Sequence, residues 1–176
     1  MSSIPQAYLD TLTPLVDLAR EFLEEGQSLH PVAFVGNFST GVTIPVLFDT
    51  SSSEAKDGSS MGIRLAAVEV DADFVAMVME AWSLPENMAS RYQAILERYG
   101  SIAASPYRVD IVTVTVETRH GLWLAQMPIK PKGQSKKRRT FGQPNFRLFT
   151  EAEGRFVNLL PPRDNGLGVA DKPGLH

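Results

Sequence analysis

Residues 109–118 read VDIVTVTVET, with five Val or Ile and three Thr in ten positions. Side chains branched at Cβ are stiff at χ1 and pack well on a pleated surface, so this run predicts a strand. Residues 122–129 follow after Arg119-His120-Gly121, a connection short enough for a hairpin. Residues 146–150 and 155–160, joined by Glu151-Ala152-Glu153-Gly154, predict two further strands. Upstream, residues 32–38 and 42–48 are rich in β-branched and aromatic residues around Ser39-Thr40-Gly41, which predicts another hairpin. Residues 74–83, FVAMVMEAWS, are apolar on both faces apart from Glu80. A central strand covered on both sides reads this way, although Ala, Met and Glu would also suit a helix.

Helical spacing is confined to the first hundred residues. Thr13 before Pro14 suits an N-cap and first helical position. Leu15, Leu18, Ala19, Phe22 and Leu23 recur at helical spacing beyond it, and Asp17, Arg20, Glu21, Glu24 and Glu25 face away. Gly26 supplies a left-handed C-cap, and residues 5–12 can extend the helix backward. Residues 49–60 form a polar stretch, either a loop or a helix start capped by one of its serines. Ile63, Leu65, Ala66 and Val68 fit helix or strand and are read as helix. After Pro85, Met88, Tyr92, Ile95 and Leu96 predict a short helix ending at Gly100. Strand–helix alternation is missing from the second half. The fold class is therefore α+β, with a mainly antiparallel sheet of five to seven strands, an N-terminal amphipathic helix and one or two more helices. Residues 1–160 are read as a single domain and residues 161–176, rich in Pro and Gly, as a flexible tail.

The chain has 176 residues, 43% hydrophobic and 21% charged, close to the averages for a folded globular protein. It has no cysteine, which excludes disulfides and thiol chemistry and fits a reducing compartment. No basic-then-apolar leader opens it, and no apolar run approaches the ~20 residues that span a bilayer. A soluble, cytoplasmic protein without membrane contact is expected.

Charge, however, is segregated. Residues 130–139, KPKGQSKKRR, hold six cations, and the rest of the chain has 11 Lys and Arg against 20 Asp and Glu, a balance of −9. Clustered cations raise the local potential and release counterions on binding, so Lys130, Lys132, Lys136, Lys137, Arg138 and Arg139 are the candidate contacts for a polyanion. That partner is nucleic acid or an acidic protein surface; a solvated turn without a partner is the plain alternative.

Other chemistry has little support. Residues 36–41 carry glycines at phosphate-loop spacing, but Val42-Thr43 replaces the Lys-Ser/Thr and a strand replaces the helix, so turn geometry explains them. His30, His120 and His176 form no ligand pattern, and neither a metal nor a cofactor is indicated. Trp82 and Trp123 are read as core, and Phe141, Phe146 and Arg147 are the one stretch resembling a base-stacking surface. A carboxylate within an apolar strand must be paired, protonated or functional. Glu80 is therefore read as salt-bridged to Arg108, or as part of a site with Arg108 and Asp110. There a carboxylate would act as general base and the arginine would hold an anionic substrate. The balance points to a non-catalytic binding or accessory protein using the basic loop, with a small enzyme at Glu80, Arg108 and Asp110 as the alternative.

Glu80-Ala81-Trp82 at a strand end, followed later by Pro106-x-Arg108-x-Asp110 leading into a β-branched strand, resembles a group of small uncharacterised bacterial and phage proteins. The likeness spans about residues 30–129, with Asp110 standing where that group is expected to carry Glu. It implies a microbial or mobile-element origin and no established activity.

Overall fold

The computed structural model describes residues 3–150 and 154–162. Three helices and a six-stranded antiparallel sheet make up the fold, which is α+β. In chain order these are α1 (Gln6–Glu24), β1 (Val32–Asn37), β2 (Val42–Leu47), α2 (Ser53–Glu69), β3 (Phe74–Ser83), a 3-10 turn (Glu86–Arg91) and α3 (Tyr92–Tyr99). Then come β4 (Val109–Thr118), β5 (Gly121–Pro128), the short strands β6 (Lys130–Pro131) and β7 (Arg139–Thr140), and β8 (Arg147–Phe149). The main sheet runs β2-β1-β3-β4-β5-β8, and β6 pairs with β7 in a separate ribbon. Among the described residues no helix is long and apolar enough to cross a membrane.

The period-2 pattern divides the sheet between two cores. On one face Phe74, Ala76 and Val78 of β3, Val112, Val114 and Val116 of β4, and Trp123, Ala125 and Met127 of β5 pack against α1. On the other, Ala33 and Val35 of β1 with Val75 and Met77 of β3 pack against Ile63, Ala66 and Ala67 of α2. Residues 74–78 are consequently buried in an unbroken row, which accounts for apolar residues on both faces of the strand. Cover ends beyond Val78. Trp82, expected in the core, is 54% exposed, whereas Trp123 is 3% exposed.

Helix α1 begins a full two turns before the predicted cap pair. Pro5 occupies the N-cap, Thr13 lies inside the helix with its hydroxyl donating to Leu9 O at 2.7 Å, and Pro14 is also internal. An internal proline costs roughly 3 kcal/mol through its missing N–H and its ring. Burial of Leu12 in phase with Val16, Ala19 and Leu23 offsets that cost. The same phase leaves Leu18 and Phe22, expected inside, 48% and 40% exposed. The far end behaves as read: Gly26 takes φ 86°, its N–H reaches Leu23 O, and Gln27 N–H reaches Phe22 O at 2.9 Å.

Ser52 caps α2, accepting from Ala55 N–H at 3.0 Å, so the polar stretch is indeed a helix start. The hairpin glycine Gly36 is a packing residue. A Cβ there would lie 2.3 Å from the Phe74 ring, and Asn37 beside it turns the chain by accepting from Ser39 and Thr40 N–H.

One predicted strand is absent. Among residues 155–160 the chain makes bends and turns, held over the α2 face by side-chain bonds instead of a ladder. Glu117 Oε2 accepts from Leu159 and Leu160 N–H at 2.7 and 2.8 Å, and Arg64 donates to Val157 O at 3.1 Å. Leu159 completes the second core there. The predicted tail lies outside the described residues from residue 163 onward.

Candidate nucleic-acid interface

Residues 130–139 form a ribbon. Lys130 pairs with Thr140 and Pro131 with Arg139, and Lys132 N–H donates to Arg138 O at 2.9 Å. Gly133 turns it at φ 63°, and the Ser135 hydroxyl accepts from Lys137 and Arg138 N–H. The tip is thus locally braced.

The ribbon rests on the C-terminal end of α1. Lys132 Nζ lies 2.6 Å from Glu24 Oε2, and Thr140 donates its hydroxyl to Glu24 Oε1 at 2.8 Å. Hydrogen bonding from Lys132, then from Thr140, holds the Glu24 carboxyl below its ordinary value of 4.5. A Cβ built on Gly26 would come within 3.6 Å of Lys137, so the ribbon crosses the helix end closely. Cations placed there complement the partial negative charge of the free carbonyls. Just past the ribbon, Arg20 donates to Phe141 O and Gly142 O and stacks over the Phe141 ring at 4.8 Å.

Arg139 anchors the opposite side. Its guanidinium spans both carboxylate oxygens of Glu80, at 3.1 Å to Oε1 and 3.3 Å to Oε2. Glu80 Oε1 also accepts from Leu29 N–H at 3.0 Å. Glu80 is therefore paired, as its position demanded, but its partner is Arg139 and not Arg108. Arg108 instead sits 3.7 Å from Asp110 and donates to Ala103 O, with both ionic side chains nearly half exposed. Glu80 and Asp110 project from the same face of neighbouring strands at diagonal positions, because Glu80 faces Val112 and Trp82 faces Asp110. None of Glu80, Arg108 and Asp110 lines the grooves described below.

Two of the six cations are thus committed to the body. Lys130, Lys136, Lys137 and Arg138 are exposed and form no ion pair among the described residues. Arg138 borders a shallow depression with Glu21, Glu24 and Glu25, so carboxylates flank the ribbon on one side. The anchors Glu24, Arg20 and Leu29 left no trace in the sequence, since their partners lie far away along the chain.

The expected stacking surface is not where it was read. Phe141 is 3% exposed, and Phe146 packs on the α1 core. Only Arg147 of that stretch is exposed. His30 and His120 are exposed, His120 at the β4–β5 turn, and His176 lies outside the described residues. Among the described residues no three potential metal ligands come together.

Three grooves mark the surface. One of about 300 Å³ lies between α1 and β2, lined by Leu18, Phe22, Leu29 and Leu47. One of about 550 Å³ lies where Glu117 and Arg119 meet residues 157–162. The largest, about 650 Å³, crosses the sheet face away from α1, over β4, β5 and β8.

No protein-family model, curated protein or solved structure matches this chain significantly.

Proposed function

We propose that this is a non-catalytic binding protein of a reducing, cytoplasmic compartment that contacts nucleic acid through the β6–β7 ribbon. The observation carrying this reading is the division of labour among the ribbon's cations. Lys132 and Arg139 tie the ribbon to Glu24 and Glu80, leaving Lys130, Lys136, Lys137 and Arg138 exposed and without ion pairs among the described residues. A braced ribbon presents these charges at little further entropic cost, which a free loop would not. The acidic body opposes a second phosphate strand, so binding is weak and depends steeply on salt.

The test is titration of labelled nucleic acid into the protein by fluorescence anisotropy across a salt series. With about four phosphates neutralised, affinity should fall roughly a hundredfold between about 50 and 200 mM salt. Replacing Lys130, Lys136, Lys137 and Arg138 by Gln should flatten that dependence and leave thermal stability unchanged. Equal binding by wild type and the quadruple variant would end the proposal. Retention of an acidic protein in place of nucleic acid would redirect it to the other polyanion.

A further inference from the structure

On the face of the sheet opposite α1, α2 packs on β1 and β3 and residues 159–160 bond to Glu117 of β4, and a groove remains over β4, β5 and β8. The groove there has about 650 Å³, within the range of roughly 300–1,000 Å³ occupied by small-molecule sites. Ile111, which is buried, and the half-buried Leu124 contribute apolar lining. On β8, Arg147 and Phe149 are two residues apart and so share a face, paired in register with Leu124 and Leu122. Phe149 is 43% exposed. Gln126 and Asn145 line the same groove, both exposed. The side chains of Gln126, Asn145 and Arg147 make no hydrogen bond with another described residue.

Building on the ribbon as a nucleic-acid contact, we propose that this groove holds an unpaired stretch of single-stranded nucleic acid, with a base stacked on Phe149 and a phosphate at Arg147. An exposed ring beside a guanidinium on one strand face is the arrangement that stacks bases without needing a particular sequence. Amide side chains such as Gln126 and Asn145 carry both donor and acceptor, matching the edges of unstacked bases. Charge complementarity supports the same occupant. Arg147 is the cation among the groove's lining residues, and it stands beside Phe149 on β8. Glu86 is the carboxylate among the groove's lining residues, so a phosphate is favoured at Arg147 and disfavoured at Glu86. A duplex would hide its base faces from Phe149, so single strands are preferred.

The experiment compares single-stranded probes of about 10 nucleotides, DNA and RNA, with the matching duplex. Phe149→Ala should weaken single-strand binding roughly tenfold or more while leaving the salt slope unchanged, and Phe149→Tyr should restore it. Arg147→Gln should weaken it and lower the slope by about 1. Circular dichroism melts of each variant at the wild-type temperature show that the edge strand is intact; if Phe149→Ala unfolds it, Phe149→Leu is the replacement, keeping apolar bulk without the ring. Wild-type affinity in the Phe149 and Arg147 variants, with loss in the ribbon variant, overturns the groove and spares the ribbon. Loss in the groove variants with none in the ribbon variant does the reverse. Tighter binding of duplex than of single strand overturns the groove, and no binding of any probe overturns both.

Discussion

Arg139 belongs to the body of the protein in spite of its place in the basic run, and replacing it should show this. In Arg139→Gln the Glu80 carboxylate loses contacts of 3.1 and 3.3 Å and keeps only Leu29 N–H. Hydrogen bonds to charged groups contribute roughly 1.5–3 kcal/mol each. Both side chains are 28% exposed, so water re-solvates the freed carboxylate and the loss comes to about 2 kcal/mol in total. For a chain of this size that is a fall in Tm of about 4–8 °C. The assay is thermal unfolding followed by circular dichroism, repeated for Glu80→Gln and for the double variant. Because the two side chains touch, the double variant should lose less than the sum of the singles, by about 1 kcal/mol. Nucleic-acid affinity of refolded Arg139→Gln, measured well below its Tm, should stay near that of wild type. A Tm within about 1 °C of wild type, together with an affinity loss like that of the quadruple ribbon variant, would refute the assignment.

Glu117→Ala should remove the clamp on residues 159 and 160, where one carboxylate oxygen accepts two backbone N–H groups at 2.7 and 2.8 Å. About 3 kcal/mol is expected to be lost in urea unfolding, with faster amide exchange at Leu159 and Leu160; unchanged exchange there would contradict it. The Glu24 carboxyl titrates below its ordinary 4.5 when folded, chiefly through Lys132 and then Thr140. Its contribution is therefore present above pH 4.5 and lost as the pH falls through the lower folded value. Amide protection at Lys132 and Thr140, corrected for the intrinsic pH dependence of exchange, should fall on acidification in that window, and Glu24→Gln should abolish this loss of protection. A variant that keeps it would assign the effect to another group.

How far the sequence reached depended on whether each signal was local. The β-branched run at residues 109–118, the doubly apolar run at 74–83 and the glycine closing α1 are properties of adjacent residues. Each survives as an element, because periodicity and cap chemistry act within one or two turns. The start of α1 lies at the far end of the extension over residues 5–12 and not at Thr13-Pro14. Thr13-Pro14 is a good local cap, but the apolar phase through Leu12 continues onto the sheet, and tertiary burial outweighs the proline penalty. Residues 155–160 have strand composition but reach no free ladder; Glu117, about forty residues away, takes their N–H groups instead.

Pairing was the part that only the tertiary structure decided. Glu80 and Arg139 are 59 positions apart, and Glu24 and Lys132 are 108 apart. Nothing in either neighbourhood marks the partner. The segregation of six cations into ten residues was legible as a count. Which of them hold the fold and which face solvent follows from where the strand order carries the end of β5, over the acidic end of α1. Composition determines how much charge and apolar surface a segment owns; the topology of the sheet determines what that surface meets. Trp82 and Phe149 are exposed for the same reason, since both stand where the helices covering the sheet run out.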